Sequence, residues 1–212
     1  MKRIWSGIRR FGLLKTLLSA TLVLFVAVLL VVGGAAGLAW TNTEAFCISC
    51  HEMKDNVYAE FKGTIHDTNR SGVRAVCSDC HVPRQPVDTI KRKFAASLEL
   101  YHALRGTINT PEKFEARRFQ MAVKVWTRMK KTDSIECRNC HHRDAMSPDL
   151  QSARAQRRHA KADEDGMTCI DCHFGIAHGE PTGDFGPRDI QVNHGAVTLP
   201  DPVAVRNASV EK

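Results

Sequence analysis

A chain of 212 residues with a formal charge of +7, 43% hydrophobic and only 7% aromatic, holds one compact domain at most, plus an appendage. The basic excess is not a nucleic-acid footprint, because no run of Lys and Arg is interleaved with aromatic residues. Setting aside the five cations that precede a long apolar segment leaves 25 Lys plus Arg against 23 Asp plus Glu, so the excess is mostly a topology signal, and the apolar segment excludes a fully soluble protein unless it is cleaved.

Those five cations, Lys2, Arg3, Arg9, Arg10 and Lys15, lie in a stretch (1–15) without an acidic residue, and the 28 residues from Thr16 to Thr43 carry no charge. A helix of that length spans roughly 42 Å, enough to cross a bilayer with some tilt, so 16–43 reads as a transmembrane anchor. A cleaved signal peptide is the competing reading, but its apolar region runs about 7–15 residues, close to half of what is present. The positive-inside rule then places the N-terminus in the cytoplasm and everything after Trp40 on the outer side. Gly33 and Gly37 have the Gly-xxx-Gly spacing on which two such helices pack closely, a route to a homodimer, with a monomer of almost equal standing.

Four motifs of one kind follow: Cys47-Ile-Ser-Cys50-His51, Cys77-Ser-Asp-Cys80-His81, Cys137-Arg-Asn-Cys140-His141 and Cys169-Ile-Asp-Cys172-His173. They use all eight cysteines, whereas composition alone would give on the order of 0.01 such matches. Two thiols at this spacing add to the two vinyl groups of one haem while the next histidine reaches the iron. A disulfide framework or paired zinc sites would not explain a histidine after every second cysteine. Residues 44–180 therefore read as a small, mainly α, multihaem cytochrome c domain, in which four covalently bound haem c groups supply packing that aromatic side chains supply elsewhere.

First cysteines are 30, 60 and 32 residues apart, which divides the domain into two dihaem units joined by an insert from about Pro86 to Ser134. Each unit holds a spare histidine between its motifs, His66 and His159. Within the insert, Ile90, Phe94, Leu98 and Tyr101 recur at helical spacing up to Gly106; Thr110 then offers an N-cap with Pro111 at N1, and Phe114, Met121, Val125 and Met129 form a second stripe. Nothing after Glu180 is periodic, and 181–212 reads as an extended C-terminal tail.

A low-spin haem needs a second axial ligand, and six histidines stand outside the motifs: His66, His102, His142, His159, His178 and His194. His142 directly follows a proximal ligand and points away from that iron, His194 lies in the tail, and His102 sits one turn from Leu98, open to core, surface or ligand roles. Met53 is the unusual residue, because a thioether ligand raises the reduction potential relative to two histidines, although a methionine is more often packing.

The N-terminal anchor, Cys-Ile-Ser-Cys-His-Glu-Met at 47–53, Asn69-Arg70-Ser71-Gly72-Val73-Arg74-Ala75, Ser134-Ile135-Glu136-Cys137-Arg138-Asn139-Cys140-His141 and Thr168-Cys169-Ile170-Asp171-Cys172-His173-Phe174-Gly175-Ile176-Ala177-His178 together resemble the NapC/NirT family of membrane-anchored tetrahaem quinol dehydrogenases. The resemblance runs from about Lys2 to Pro181. With no fifth CxxCH in the sequence, it is to the tetrahaem members rather than to the pentahaem relatives that serve trimethylamine N-oxide reductase. It implies a bacterial inner-membrane protein with a periplasmic haem domain, and distal ligands at His66, His159 and His178 in the pairs His81 with His159, His141 with His178, and His173 with His66. The first haem would take Met53 in place of His51, with its other face open, nearest the membrane where quinol binds.

The resemblance also implies that the insert helix serves quinol oxidation, which releases two protons along with two electrons. Glu99 is the expected base, and Lys91 or Lys93 the cation facing the quinol oxygen; the competing reading is that these lysines meet lipid phosphates. Menaquinol and ubiquinol are both open as donors, and a periplasmic reductase, nitrate reductase foremost, is the expected acceptor. Two readings of other classes stand beside this one: a terminal reductase acting directly on nitrite or hydroxylamine at the open haem, and a passive electron-carrier cytochrome.

Overall fold

The computed structural model describes residues 2–193 and 195–201, with side chains from residue 12 onward. The chain divides into two compact units, the second beginning at Glu44. The first is one helix, α1 (Lys2–Trp40), so the helix reaches back well before the uncharged span. Its Gly12–Trp40 stretch has the length and apolarity to cross a membrane, with a mean hydropathy of 2.7 and none of the most apolar window buried. Helix ends leave carbonyls without partners; here the Thr41 amide donates to the Gly37 carbonyl, and the Thr41 and Thr43 hydroxyls donate to those of Leu38 (3.1 Å) and Trp40 (2.8 Å).

The second unit is built from short helices: α2 (Glu44–Cys47), a π-helical turn (Met53–Tyr58) running into α3 (Ala59–Phe61), α4 (Cys77–His81), α5 (Pro86–Leu104), α6 (Pro111–Lys131), α7 (Ile135–Arg138) and α8 (Ala153–Glu164), followed by a hairpin of β1 (Gln191–Asn193) and β2 (Ala196–Thr198). Val192 pairs with Val197 in its antiparallel register. The two long helices of the insert start on Pro86 and Pro111, whose fixed φ suits N1. Thr110 caps α6 by accepting from the Lys113 amide at 3.3 Å, and α5 ends before Gly106, whose φ of +68° favours glycine.

The two apolar stripes of the insert meet different environments. That of α6 turns inward: Phe114, Trp126 and Met129 are buried, and Met121 and Val125 are half-buried. That of α5 stays exposed, with Phe94 at 74% and Leu98 at 68%.

The core joins Trp126 and Met129 to Ile170 and Ile190, flanked by Phe119, Phe174 and Phe185. Phe119 packs edge-on against Phe185 at 5.0 Å between ring centres, and Trp126 against Phe174 at 5.7 Å. The segment expected to be an extended tail therefore belongs to the core as far as the hairpin. Ile190 is fully buried, the Pro187 carbonyl accepts from Lys130 Nζ (2.9 Å), and Gly183 lies so close to the Phe119 ring that a Cβ there would collide with it. The missed signal is apolar burial without periodicity: single residues spaced along an irregular segment fill a gap beside α6.

Lys130, half-buried, also pairs at 2.6 Å with the buried Asp171, and Asp171 in turn accepts from the Thr168 amide (2.8 Å) and hydroxyl (3.1 Å). Ser134, fully buried with φ +51°, accepts from the Ile170 amide at 3.2 Å. The third and fourth motifs are thus fastened to the end of α6. Among the described residues only six hydrophobic side chains are buried, few for a domain of this length. Packing at native density needs more apolar volume than they supply.

Candidate haem sites and the ligands around them

Each motif folds as about one helical turn. In the third and fourth, the histidine amide donates to the carbonyl of the first cysteine, His141 to Cys137 at 2.8 Å and His173 to Cys169 at 2.9 Å, which sets cysteine and histidine on one face. Asp at the second spacer position starts the turn twice: Asp79 accepts from the Val76 amide at 2.9 Å as Asp171 does from Thr168.

Neighbouring motifs touch in chain order. The thiols of Cys47 and Cys77 are within hydrogen-bonding reach of each other, as are those of Cys137 and Cys169. The contact holds the Cys47 pKa at about 7 and that of Cys169 at about 6, and pushes both partners up. Cys80 lies near Cys140, with α4 packed on α7, and burial pushes its thiol pKa up. Groups attached at the four motifs therefore line up first to second to third to fourth. No set of three or more His, Cys, Asp or Glu side chains gathers among the described residues as a bare metal ion would need.

Three pairs of imidazole rings lie close together: His81 with His178 (6.1 Å between ring centres, planes at 27°), His66 with His141 (6.2 Å, 81°) and His159 with His173 (6.1 Å, 46°). A metal–nitrogen bond is about 2.0 Å and the ring centre lies about 1.1 Å further, so two imidazoles on opposite sides of one haem iron have centres roughly 6.2 Å apart. The pairs fit a haem between them. Tautomers fit as well: His178 Nδ1 lies 3.1 Å from the Val57 carbonyl and His159 Nδ1 lies 2.7 Å from Gln151 Oε1, which leaves Nε2 of each for a metal. Burial, with help from Arg128, His178 and Arg92, holds the His81 pKa down to about 3, and burial also lowers those of His173 and His178, so these rings stay neutral as ligands must.

The rings that the structure brings together are not the expected pairs, His81 with His159, His141 with His178 and His173 with His66. The reason lies in what pins the distal residues. Arg143 donates to the His159 carbonyl (2.7 Å) and to Asp163 (2.5 Å), holding α8 beside its own motif, so His159 meets His173. His178 is tied instead to the first half of the domain, through Val57 and through the neighbouring Gly179 amide, which donates to Glu60 at 2.8 Å. Val57 and Gln151 carry no motif signal, and sequence reasoning missed both.

The first motif differs. His51 is 63% exposed and faces Glu52 at 3.4 Å across a shallow cleft shared with Asn109 and Pro111, whereas Met53 is half-buried at the head of the π-helical turn. Single π turns recur at functional sites. His102 stacks edge-on to Tyr101 on the exposed side of α5, His142 is exposed ahead of a 3-10 turn, and His194 lies outside the described residues.

On α5, Glu99 is exposed and accepts from Arg92 Nη2 at 2.9 Å; Arg92 itself is 17% exposed. Lys91 is exposed and pairs with Asp88. Lys93 is half-buried and near Cys47, and burial lowers its pKa. The structure thus brings Lys93 toward the first motif, leaves Lys91 outside, and adds Arg92, which sequence reasoning had passed over.

The profile of the NapC/NirT cytochrome c family, N-terminal region, matches residues 11–183. The chain is 53% identical over 165 residues to the denitrification system component NirT of Stutzerimonas stutzeri, covering 73% of this chain and 82% of that protein. It is 48% identical over 182 residues to the cytochrome c-type protein NapC of Escherichia coli K12, covering 85% and 90%. It is 49% identical over 146 residues to a putative tetraheme cytochrome of Allochromatium vinosum, covering 69% and 79%. No solved structure matches it. With four CxxCH motifs in contact, three histidine pairs spaced for haem iron and an apolar anchor ahead of them, the chain belongs to the NapC/NirT family of membrane-anchored tetrahaem c-type cytochromes.

Proposed function

We propose that this cytochrome is a quinol dehydrogenase: it oxidises a membrane quinol and delivers the electrons to a periplasmic reductase, with nitrate reductase the expected acceptor. The supporting observation is α5. Its exposed stripe of Ile90, Phe94, Leu98 and Tyr101 would be costly in water and suits the boundary of a bilayer, where a lipid-soluble substrate arrives. The same helix carries Glu99 with its Arg92 partner, and Lys93 directed to the first motif. The basic stretch before the anchor supports a cytoplasmic N-terminus and hence a periplasmic haem domain.

In this reading Glu99 accepts a proton from a quinol hydroxyl, and Lys93 stabilises the negative charge that develops on the oxygen. Arg92, donating to the Glu99 carboxylate at 2.9 Å, orients it for that transfer. Haem groups held at the four CxxCH motifs would supply single-electron acceptors. The proposed iron ligands are Met53 for the first motif, with His51 turned aside, and the pairs His81–His178, His141–His66 and His173–His159 for the others; contacts between successive motifs support electron passage in chain order.

The test is anaerobic mixing of the detergent-solubilised holoprotein with menaquinol or ubiquinol analogues, with haem absorbance followed before and after dithionite. Reduction of a substantial part of the dithionite-reducible haem by a quinol supports the reading and identifies the donor. Reduction by dithionite alone overturns it and leaves an electron carrier supplied by another protein.

A further inference from the structure

Arg92 on α5 and Arg128 on α6 pose a problem that the protein alone does not solve. Arg92 Nε and Arg128 Nε and Nη2 are buried without a hydrogen-bond partner. Buried guanidinium nitrogens are nearly always paired, because the cost of an unmet charged donor is high. The two positive charges also repel each other, and both bear on the buried His81 ring. Nearby carboxylates do not resolve this. Glu99 engages only Arg92 Nη2 from the exposed side. Glu136 acts on Arg128 through its charge alone, since its Oε2 accepts from Thr132 (3.1 Å) and its buried Oε1 has no partner. Two inward-facing cations with open donors, beside the ring that would hold one haem iron, describe a site for a carboxylate.

We propose that Arg92 and Arg128 together hold a propionate of the haem attached at Cys77 and Cys80. Such a haem brings its own carboxylates, and a guanidinium fork matches a carboxylate with two parallel hydrogen bonds. The arrangement also gives Arg92 two carboxylates, the propionate inside through Nε and Glu99 outside through Nη2. Both arginines are positioning residues for the second haem. By neutralising its propionate they favour the reduced iron and raise its potential. The inference rests on the assignment of the haem at His81 and His178, and is independent of whether quinol is the electron donor.

The experiment uses Arg128→Leu, Arg92→Gln and Arg128→Lys holoproteins. Each is checked for four haems by pyridine haemochromogen absorbance and for low-spin signals by electron paramagnetic resonance, then titrated by spectroelectrochemistry. In Arg128→Leu and Arg92→Gln, one haem should shift its reduction equilibrium about tenfold toward the oxidised form, which is about 59 mV for one electron, while the other three stay put. The propionate-bending band in resonance Raman should move in the same proteins, and Arg128→Lys should recover part of the potential. Unchanged potentials in proteins that retain four haems and the parent's low-spin signals overturn the proposal. A shifted potential with an unmoved propionate band overturns it too, since that describes a distant charge and not a clamp. If Arg128→Leu matures without its full haem complement, Arg92→Gln and Arg128→Lys carry the same two readouts. Loss of a low-spin signal from every variant would instead indict the axial assignment.

Discussion

Glu99 sits at the exposed end of an ion pair whose other member is mostly buried, an arrangement that fixes the carboxylate's orientation and leaves it reachable. Glu99→Gln removes the proton acceptor and preserves size, so quinol-dependent haem reduction should slow about 100-fold while dithionite still reduces all four haems. An unchanged rate in stopped flow would remove Glu99 from the chemistry. Gln151 Oε1 lies 2.7 Å from His159 Nδ1, a contact that would make His159, as the proposed distal ligand, a stronger donor to iron. Gln151→Leu should therefore raise the potential of one haem, on the order of threefold in its reduction equilibrium, about 30 mV; a spectroelectrochemical titration identical to the parent's would deny the contact. Ring orientation gives an independent check. As the proposed ligands, the imidazoles would each donate into the iron orbital perpendicular to the ring plane, so planes at 81° would raise two orbitals equally, while planes at 27° would split them. The His66–His141 site should show the most anisotropic low-spin resonance of the three.

At the scale of elements, the ends of α6 hold the domain together. At its C-terminal end Lys130 meets Asp171, both largely removed from water. Losing one partner strands a buried charge, so Asp171→Ala should cost about 3–5 kcal/mol and also free the Thr168 amide; a melting temperature within a degree or two of the parent would contradict this. Nearer its start, Arg118 donates to Glu60 through both terminal nitrogens and to the Gly179 carbonyl, tying α3 to the irregular segment that carries His178. The hydrogen bond from Arg118 holds the Glu60 carboxyl below its ordinary 4.5. A depressed carboxylate adds stability that is full above the unfolded pKa and is lost as pH falls through the folded one. Thermal melts should therefore show Glu60→Gln clearly below the parent at pH 7, with the gap closing as the pH is lowered through about 4. A gap that stays constant with pH would mean the pair contributes packing only.

For the whole molecule, the decisive fact is the scarcity of protein core. Six buried hydrophobic side chains among the described residues, and three histidine pairs whose ring centres are spaced to take an iron between them, leave the haems as the filling. A chain produced without haem attachment should lose its near-ultraviolet circular dichroism and be digested by protease far faster than the holoprotein. A haem-free chain with native-like protection would show that the polypeptide folds alone.

What could be read from the sequence was whatever rests on short-range chemistry. The anchor shows in a run of residues without charge, haem attachment in thiols three apart with a histidine next, and the insert helices in Pro, Thr and a 3.6-residue repeat. Those features depend on neighbours within one or two turns, so they are visible in order along the chain. The pairing of His81 with His178 and of His66 with His141, the burial of Ile190 in a segment with no periodicity, and the inward turn of Arg92 between Lys91 and Lys93 were decided only by tertiary structure. Each depends on which distant backbone carbonyl, ring or charge arrives beside it. No local pattern encodes that arrival, because loop closure brings residues together at a cost that grows only slowly with their separation.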